Sequence, residues 1–428
     1  MNKIEYGFQN SKESTTVFYK VNKQEDEQDF IERFKNSKCL KCYVNWPVSF
    51  QDPKIVCLND REFIQAQTNE LEKTYPINWE SFKVFGVTGT NGKTTVVNLA
   101  DQIAQKQKMK SLSIGTLGVF YEGEEKKNFS LTTPSYIDIW KTIFQFQENL
   151  DFVFMELSSH ALVQNRLGDI RFDAIGWTSF SQDHLDYHKS IEEYFSAKKQ
   201  CLNYLKKSGK LYVAQTNEKL KSVLKQNEID FYELHEEKPE SDFFIASYNH
   251  ENFSLALGII KQNFVLGLKE FNFLSAPAGR FNIIPYQSSY IVIDFAHTPD
   301  ALENILIGLR NSFKNKNLVC LFGCGGNRDK RKRVLMGNIA EKHADEVIVT
   351  SDNPRFEEPM DIIKDIVNGR SFKIIEDRKD AIEWAIKNFT ENSVILIAGK
   401  GHENYIDIKG EKKPYSDVDV VQGFISND

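Results

Sequence analysis

The stretch that most constrains the fold of this chain is VFGVTGTNGKTTVVNLADQIAQ, residues 84–105, where a short apolar run meets a glycine-rich loop and then a helical pattern. Gly89 and Gly92 allow backbone N–H groups to close around phosphate oxygens, and the N-terminus of the following helix adds positive potential. Lys93 can reach the terminal phosphates of a nucleotide, and the Thr94 hydroxyl can bind Mg²⁺. The sequence therefore predicts a strand, a phosphate-binding loop and a helix within an α/β domain.

The loop departs from the strict G-x-x-x-x-G-K-[ST] pattern, because Val87 stands where the first glycine belongs and Gly86 comes one residue early. A strand and a helix still flank the loop in the required order, which a simple surface turn does not need. A P-loop kinase would account for this loop alone. Other motifs along the chain must therefore decide which phosphate chemistry the loop serves.

Length and charge exclude several classes of function. A chain of 428 residues is too long for one small domain, and its net charge of −6 disfavours general binding to nucleic acid or a membrane surface. The sequence has no apolar run of about 18 residues that would span a bilayer, and its first 15 residues lack the apolar core of a signal peptide. We expect a cytoplasmic protein without membrane insertion, and its six dispersed cysteines do not suggest a disulfide framework.

Apolar runs that alternate with helical patterns predict an α/β fold with three domains. The expected limits are 1–78 for a small N-terminal α/β domain, 79–277 for a central P-loop NTPase-like domain with a parallel sheet, and 278–428 for a C-terminal Rossmann-like α/β domain. Pro76 marks the first boundary, because proline stops a helix. Within the central domain we expect one strand at 111–120, one helix at 190–209 and a weakly structured bridge at 221–246.

Carboxylate, imidazole and amine groups follow the phosphate loop along the chain. Glu156 closes the strand FVFMEL, where a carboxylate opposite a phosphate loop is a natural Mg²⁺ ligand. The segment DHLDYH, residues 183–188, places two aspartates and two histidines within six residues, and Lys198 follows on the next helix. From these residues alone, a metal site and a solvated loop are supported equally.

The blocks TGTNGKTT, DHLDYH and YFSAKK together resemble the Mur ligases, the ATP-dependent amide-bond ligases of peptidoglycan precursor synthesis. Folylpolyglutamate synthases share a related loop. The resemblance covers roughly residues 80–425 and implies a three-domain Mur ligase architecture. In it the N-terminal domain binds the UDP substrate, the central domain binds ATP and the C-terminal domain binds the incoming amino acid. The positions that match the family's ATP site are Gly89, Thr90, Asn91, Gly92, Lys93, Thr94, Thr95, Asn249, Asn252, Arg280, Asp294 and His297.

The same resemblance implies two Mg²⁺ sites and a lysine that CO₂ carbamylates. The matching metal positions are Thr94, Glu156, His184 and Lys198 as N6-carboxylysine, with Lys199 as an alternative register for the lysine. Carbamylation turns a cation into an anion that suits two Mg²⁺ and a triphosphate, and it requires a neutral amine, which nearby cations favour. The expected catalytic residues are Lys93, His184 and Lys198.

Polar residues elsewhere resemble the family positions that hold a UDP-sugar-peptide. They are Ser11, Thr132, Thr133, Ser158, Gln164 and Arg166. An arginine among hydroxyl and amide groups suits an anionic ligand. The first domain is shorter than in the family and its usual D-S-R uridine motif is not evident. We interpret Asn10-Ser11-Lys12 as the remnant of that motif.

The most specific motif in the chain is SDNPRFEEP, in which residues 352–355 match the D-N-P-R signature of family members that add meso-diaminopimelate. Lysine-adding relatives usually lack this arginine. Diaminopimelate carries a second amino-acid head, and Arg355 can bind the carboxylate of that head bidentately. L-lysine would leave the guanidinium unpaired, at a cost of about 1–3 kcal/mol. The full set of expected diaminopimelate contacts is Arg328, Asp352, Asn353, Pro354, Arg355, Gly399 and Glu403.

The resemblance thus implies an ATP-dependent ligase that adds meso-diaminopimelate to UDP-N-acetylmuramoyl-L-alanyl-D-glutamate through an acyl phosphate, working as a monomer on small molecules. The alternatives are the same ligase adding L-lysine, a folylpolyglutamate synthase-like ligase, and a binding protein built on an inactive ligase fold. A folylpolyglutamate synthase should not carry DNPR together with GKGHE. Intact Lys93, His184 and Lys198 argue against an inactive fold.

Overall fold

The computed structural model describes residues 3–9, 12, 14–21, 26–129, 131–235, 239, 244, 247–261 and 271–427. The chain divides into two compact units. The first contains Met1–Gly86, Ala104–Ile175 and Gln200–Lys210, and the second contains Val87–Ile103, Gly176–Lys199 and Leu211–Asp428. The three domain limits expected from the sequence stay a prediction. None of the described helices is long and apolar enough to cross a membrane.

The N-terminal part of the first unit is a four-stranded parallel sheet with two helices. Its elements are β1 (Lys3–Tyr6), β2 (Thr15–Tyr19), α1 (Asp26–Lys35), β3 (Lys41–Val44), β4 (Ile55–Cys57) and α2 (Asp60–Thr74), and the strand order is β1-β2-β3-β4. Helix α2 begins at a capping box, in which Glu62 N donates to Asn59 Oδ1 at 2.9 Å and Asn59 N donates to Glu62 Oε2 at 3.0 Å. The helix ends before Pro76, as the sequence predicted.

A sheet of eight strands follows in the order β12-β11-β10-β5-β9-β6-β7-β8. Its elements are β5 (Lys83–Thr88), α3 (Lys93–Lys106), β6 (Ser111–Gly115), β7 (Gly118–Tyr121), β8 (Glu124–Lys127), α4 (Tyr136–Phe146), β9 (Phe152–Glu156), α5 (Ser159–Val163), β10 (Phe172–Trp177), α6 (Leu185–His188), α7 (Ile191–Lys199), β11 (Leu205–Ala214), α8 (Glu218–Gln226), β12 (Tyr232–Leu234) and α9 (Ser247–Lys261). Strand β9 is buried along its whole length, as expected for a central strand covered on both faces.

Three sequence expectations in this region are wrong. Residues 111–120 form two antiparallel strands, β6 and β7, because the chain turns back at Gly118, where φ is 121°. The expected helix at 190–209 ends at Lys199, a 3₁₀ turn covers Gln200–Tyr204, and β11 begins at Leu205. The expected bridge at 221–246 contains part of α8 and all of β12.

A third sheet, in the second unit, has the order β13-β14-β18-β15-β16-β17 and is parallel except for β13. Its elements are β13 (Asn282–Tyr286), β14 (Ser289–Asp294), α10 (Pro299–Ser312), β15 (Asn317–Phe322), α11 (Arg331–His343), β16 (Glu346–Val349), α12 (Pro359–Val367), β17 (Lys373–Ile374), α13 (Arg378–Asn388) and β18 (Ser393–Ala398), followed by the hairpin β19 (Tyr405–Ile408) and β20 (Glu411–Pro414) and by α14 (Asp417–Asn427). The expected alternation of strands and helices is confirmed. Except for Arg280, which precedes β13, the expected site residues of this block lie at or after the carboxyl ends of β14, β15, β16 and β18, where open parallel sheets bind ligands.

Candidate active site

The phosphate loop joins β5 to α3 and depends on two glycines. Gly89 has a φ of 143° and Gly92 a φ of 85°, a region that other residues adopt only with strain. A Cβ atom on Gly89 would lie 1.9 Å from Thr178 Oγ1, and one on Gly92 would lie 2.4 Å from Asn252 Oδ1. Both positions therefore require glycine for conformation and for space.

Hydrogen bonds from the segment after β10 hold the loop in place. Thr90 N donates to Ser179 O at 3.0 Å, Thr90 Oγ1 donates to Ser181 O at 3.1 Å, and Asn91 N donates to Ser179 Oγ at 2.9 Å. The Lys93 ammonium donates to two loop carbonyls, Gly89 O at 2.8 Å and Thr90 O at 2.9 Å. The loop is thus fixed before any phosphate reaches it, and such preorganisation reduces the entropy lost on binding.

Lys198 lies directly against this loop. Its side chain is fully buried, and its Nζ donates to Gly89 O at 2.7 Å and lies 4.5 Å from the centre of the Tyr194 ring. The neighbouring Lys199 is exposed. Of the two lysine registers that the sequence allowed, only Lys198 therefore contacts the phosphate loop.

The rings of His184 and His188 also lie near the Tyr194 ring. The His184 ring centre is 6.1 Å and the His188 ring centre 5.2 Å from that of Tyr194. Burial lowers the pKa of His188, and the charge of Lys198 lowers it further. His184 has left-handed backbone (φ 53°), and its N–H donates to Asp183 Oδ1 at 2.8 Å. The two histidines of the DHLDYH segment and Lys198 thus all pack near one buried aromatic ring, that of Tyr194.

A cavity of about 440 Å³ lies beside the phosphate loop. Seven predicted ATP-site residues line it, and they are Asn91, Gly92, Thr95, Asn249, Asn252, Arg280 and Asp294. Asn249 and Asn252 are one turn apart on α9, so both face the cavity, and Asn252 Nδ2 donates to Asn249 Oδ1 at 3.4 Å. The Tyr248 ring also lines the space, which suits a flat aromatic base followed by phosphates.

Arg280 and Asp294 build the wall of this cavity that comes from the third sheet. The Arg280 guanidinium lies 4.4 Å from the Phe295 ring centre, and its Nη2 donates to Thr94 Oγ1 at 3.4 Å. Asp294 accepts from Phe281 N and Ala296 N, both at 2.7 Å. Burial raises the pKa of Asp294, and Arg280 and the two N–H groups oppose that rise. The arginine thus meets the first turn of α3, where the phosphates are expected.

His297 lines a second, smaller cavity of about 140 Å³ rather than the one beside the phosphate loop. Its Nδ1 lies 2.8 Å from Phe295 O. Burial and the charge of Lys332 lower the pKa of His297 to about 4, so its ring is neutral at pH 7. Burial raises the pKa of nearby Asp183, but His184, His297 and Lys332 outweigh burial and lower it. Asp183 is therefore an anion at neutral pH.

The smaller cavity collects most of the predicted diaminopimelate residues, and those that line it are Arg328, Asp352, Asn353, Arg355, Gly399 and Glu403. Asn353 Nδ2 donates to Glu403 Oε2 at 2.8 Å. Gly399 has a φ of 118°, and a Cβ there would lie 2.8 Å from Asp352 Oδ2. Pro354 does not line the cavity, but its carbonyl oxygen leaves room only for glycine at Gly326, where a Cβ would lie 2.0 Å away.

Two arginines face this cavity with different partners. Arg355 has left-handed backbone (φ 53°), and its Nη1 donates to Gly326 O at 2.8 Å while its Nε lies 3.7 Å from Asp407 Oδ2. The hairpin β19–β20 holds this conformation, because Arg355 N donates to Asp407 O at 2.9 Å. Arg328 Nη1 donates to Asp186 Oδ2 at 3.1 Å. Both guanidinium groups can bind carboxylates of an amino acid.

The first unit brings the predicted UDP-substrate residues together. Thr133 Oγ1 donates to Glu156 O at 2.8 Å, Ser158 N donates to Thr133 Oγ1 at 3.1 Å, and Arg166 Nη1 donates to Thr133 O at 2.9 Å. Arg166 also donates to Gln164 Oε1 at 2.9 Å from its Nε. The remaining members are Thr132, which accepts from Thr116 Oγ1 at 3.1 Å, and Ser11, which lies outside the described residues.

Two of the predicted metal ligands, Thr94 and Glu156, supply oxygen atoms of the kind that Mg²⁺ prefers. Glu156 is buried, and it accepts from Thr116 N at 2.8 Å and from Thr116 Oγ1 at 3.1 Å. Thr94 lies in the first turn of α3. Within the described residues, no group of three or more His, Cys, Asp or Glu residues could hold a metal alone. Each of these two oxygen donors suits a Mg²⁺ that takes its remaining ligands from phosphate oxygens and water.

Sequence reasoning missed three residues that line the smaller cavity or hold its lining residues in place. Lys332 lines it and donates to His297 O at 3.0 Å, Asp407 positions Arg355, and the buried Lys400 joins Asn353 to Glu403. Lys400 stands inside the GKGHE block and Lys332 inside the basic run RDKRKR, so each had a local signal. Asp407 had none, because only the folded hairpin brings it to Arg355.

Known proteins resemble this chain over most of its length. Models of the Mur ligase middle domain and of the Mur ligase glutamate ligase domain match residues 87–286 and 279–401. A UDP-N-acetylmuramoyl-L-alanyl-D-glutamate--2,6-diaminopimelate ligase of Aquifex aeolicus (strain VF5) is 36% identical over 440 residues, which cover 94% of this chain and 89% of that protein. A solved structure of a ligase with the same name has a TM-score of 0.63 and 25% identity, with 100% of this chain and 95% of that chain covered.

A bifunctional folylpolyglutamate synthase/dihydrofolate synthase, solved with Mn, AMPPNP and L-glutamate bound, has a TM-score of 0.57 and 18% identity. The match covers 79% of this chain and 91% of that chain, and at this identity it shows a common fold alone. The relative from Aquifex aeolicus, in contrast, matches nearly the whole chain at an identity that establishes common membership. This chain belongs to the Mur ligase family.

Proposed function

We propose that this chain is an ATP-dependent, ADP-forming amide-bond ligase that adds meso-diaminopimelate to UDP-N-acetylmuramoyl-L-alanyl-D-glutamate in peptidoglycan precursor synthesis. The family membership supports the ligase chemistry, and the name of the relative from Aquifex aeolicus supports the two substrates. The observation that carries the choice of amino acid is one small cavity lined by Arg355, Asn353 and Glu403. Arg355 offers a cation for the carboxylate, and Glu403 offers an anion for the ammonium, of the distal head of diaminopimelate.

The reaction divides into two balanced steps. A carboxylate oxygen of the glutamate side chain attacks the γ-phosphorus of ATP, the bond from that phosphorus to the β–γ bridging oxygen breaks, and ADP leaves. The amine of diaminopimelate then attacks the acyl carbon, the carbon–oxygen bond to phosphate breaks, and the nitrogen loses a proton as the amide forms. Both steps build negative charge on phosphoryl oxygens, which preorganised cations and N–H groups stabilise.

The chain supplies the groups that these steps need. Lys93 and the N-terminus of α3 are expected to bind the β- and γ-phosphates, with the rigid loop from Gly89 to Gly92 around them. Arg280, which reaches Thr94, is expected to bind the same phosphates from the opposite wall. The residues that line the 440 Å³ cavity would hold the adenine and ribose.

Thr94, Glu156, His184 and carbamylated Lys198 would hold Mg²⁺ at two sites, and bound Mg²⁺ would neutralise charge on the transferring phosphoryl group. The burial of Lys198 against the phosphate loop supports carbamylation, because an ammonium there adds one positive charge where a metal-binding anion is needed. His188 and His184, gathered around Tyr194, lie in the same neighbourhood. Lys198 would lose the proton of its ammonium, its neutral amine would form a bond to the carbon of CO₂ with release of a second proton, and the resulting carbamate anion would serve as a metal ligand.

The contacts around Arg355 disfavour the two alternative ligases. With L-lysine the partly buried Arg355 guanidinium would gain no ligand carboxylate beyond its contact with Asp407 at 3.7 Å. A folate substrate would leave Arg355, Asn353 and Glu403 without a role. We also propose that the chain works as a monomer in the cytoplasm, where ATP and the UDP-linked substrate are available. Light scattering of the purified chain would test whether it is a monomer.

The experiment that tests the function is ATP-dependent phosphate release with UDP-N-acetylmuramoyl-L-alanyl-D-glutamate, comparing meso-diaminopimelate, L-lysine and no amino acid, with mass analysis of the product. We expect phosphate release and ligated product with diaminopimelate at a far higher kcat/KM than with L-lysine. Equal use of L-lysine would keep the ligase and remove the role given to Arg355. Absence of product with both amino acids would overturn the proposal, and dihydropteroate with L-glutamate would then test the folate alternative.

A further inference from the structure

Lys400 has a fully buried side chain, with 0% of its surface exposed, at the turn that follows β18. Gly399 precedes it with a φ of 118° and Gly401 follows it with a φ of 52°. Glu403 N donates to Lys400 O at 2.9 Å, so one turn carries both side chains. A buried lysine is uncommon and requires charged or polar partners that offset its loss of water.

The partners of Lys400 are two residues of the smaller cavity. Its Nζ donates to Asn353 Oδ1 and to Glu403 Oε2, both at 3.0 Å. Asn353 Oδ1 also accepts from Asp407 N at 2.9 Å, and Asn353 Nδ2 donates to Glu403 Oε2 at 2.8 Å. Two donors therefore fix the amide oxygen of Asn353, and its NH₂ group must face Glu403.

The same bonds leave one oxygen of Glu403 available. Among the described residues, the two hydrogen bonds to this carboxylate, from Lys400 and Asn353, both end on Oε2. Glu403 lines the smaller cavity, and its side chain keeps 19% of its surface exposed. Its Oε1 can thus accept from a ligand ammonium while Lys400 holds the carboxylate still.

Lys400 also changes the charge of this end of the cavity. Burial raises the pKa of Asp352, but the charges of Lys400 and Arg378 outweigh burial and lower it, so Asp352 is an anion. Asp352 and Glu403 would carry two negative charges there without the ammonium of Lys400. Such a surplus favours a ligand that brings a single positive charge, since opposite charges attract strongly where water is excluded.

We propose that Lys400 is a specificity-determining positioning residue, whose buried charge fixes Asn353 and Glu403 and makes this end of the cavity select a zwitterionic head group over a single cation. The inference rests on the proposed function, because it explains how the same site separates diaminopimelate from L-lysine. Arg355 binds the carboxylate of the zwitterion. Lys400 lowers the attraction of the site for a bare ammonium.

The test uses the full chain with Lys400→Met and, as a matched control, Lys221→Met. Lys221 is also buried, with a side chain 6% exposed, and pairs with Glu218 and Glu233 on α8 and β12. For each variant kcat/KM is measured with meso-diaminopimelate and with L-lysine, together with the KM for ATP and the melting temperature. We expect Lys400→Met to reduce the ratio of the two kcat/KM values, diaminopimelate over lysine, by about 10- to 100-fold. The KM for ATP and the ratio in Lys221→Met should stay unchanged.

An equal loss for both amino acids, or an unchanged ratio, would overturn the inference, because a merely structural role would not distinguish the two substrates. If Lys400→Met does not fold, Lys400→Gln carries the test, since it keeps an N–H donor but lacks the charge, and the ratio should again fall. Failure of both variants to fold, while Lys221→Met folds, would show a structural role and overturn the inference as well. A wild-type chain that ligates neither amino acid would instead overturn the proposed function.

Discussion

The ammonium of Lys198 donates a hydrogen bond to the carbonyl oxygen of Gly89 at 2.7 Å, from a side chain that is 1% exposed. Helix α7, which carries Lys198 and follows the DHLDYH segment, is thereby joined to the phosphate loop by a buried amine. We expect Lys198→Ala to lower kcat by about 10²- to 10³-fold, because a group that stabilises the transferring phosphoryl group is lost. A short carboxylic acid such as acetate should restore part of the rate if Lys198 acts as a carbamate.

The matched control for this experiment is Lys199→Ala, since Lys199 is the next residue on α7 and is exposed. Its rate should stay within about twofold of the wild-type rate, because surface substitutions rarely disturb a site. Full activity of Lys198→Ala without acetate would exclude both the carbamate and a catalytic role for this lysine.

A side chain at Gly92 would meet two obstacles, a left-handed φ of 85° and a clash with Asn252. Gly369 serves as a control because it shares the first obstacle and not the second. Gly369 has a φ of 84° but no atom within 4 Å of an added Cβ. Gly92→Ala should raise the KM for ATP by about tenfold or more, because its Cβ displaces Asn252 from the nucleotide cavity. Gly369→Ala should lower the melting temperature slightly and leave that KM unchanged. Equal kinetic effects in the two variants would show that backbone strain, and not the contact, disturbs the loop.

Arg355 is expected to provide the specificity for diaminopimelate through its guanidinium. Arg355→Ala should reduce kcat/KM for meso-diaminopimelate by about 10²-fold, since a charge-assisted bidentate bond is lost, and should change kcat/KM for L-lysine much less. Arg310→Ala is the control, because Arg310 pairs with Asp345 at 2.7 Å and does not line the cavity. Parallel losses for both amino acids in Arg355→Ala would contradict the assignment.

His402 makes the stability of the fold depend on pH. Burial lowers the pKa of His402 to about 4, and the charges of Arg280 and His297 add to that effect. Because the folded pKa lies below the ordinary value near 6.5, the unfolded chain binds more protons between these values. The stability that comes from keeping His402 neutral should therefore be fully present above pH 6.5. As the pH drops to 4, loss of this contribution should lower the free energy of unfolding by about 2–3 kcal/mol.

Urea unfolding of the wild type and of His402→Gln at pH 7 and pH 4 checks this prediction. The variant should lose less stability over that range, because it has no imidazole to protonate. His235→Gln is the control, since His235 is exposed, and it should follow the wild type. The same pH dependence in His402→Gln and the wild type would rule out the contribution of His402.

Arg378 and Asp417 form an ion pair with no exposed side-chain surface, and two bonds of 2.8 Å join them. Arg378 Nη2 also donates to Ala398 O at 3.0 Å, at the end of β18. Arg378→Met should destabilise the chain by about 3–5 kcal/mol, because a buried carboxylate loses its partner. The double variant Arg378→Met with Asp417→Asn should lose less than the single variant in urea unfolding, and a larger loss would refute the argument from an uncompensated charge.

Short motifs predicted much of the site, because their chemistry depends on spacing along the chain. Gly89, Gly92 and Lys93 lie on one loop between a strand and a helix, and the sequence alone placed them correctly. The DNPR and GKGHE blocks follow β16 and β18, and carboxyl ends of parallel strands meet at one edge of a sheet. Their convergence on one cavity could therefore be expected from the order of the strands.

Local patterns were less reliable where tertiary pairing decides the structure. Residues 206–208 are polar and come shortly after a helix, yet they belong to β11, which lies between β10 and β12. Residues 111–120 look like one apolar strand, but Gly118 allows the antiparallel pair β6–β7. In both places pairing with another strand provides the backbone hydrogen bonds that fix the conformation.

The sequence by itself determined the α/β class, the phosphate loop, the family and the chemical type of each site residue, because these depend on residue spacing and on motifs a few residues long. Only the tertiary structure decided that Lys198 rather than Lys199 contacts the phosphate loop, that His297 lines the smaller cavity, and that Lys400 joins Asn353 to Glu403. These three facts depend on which side chains are buried together. Burial is a property of the packed chain, and no local pattern specifies the partners that a buried charge will meet.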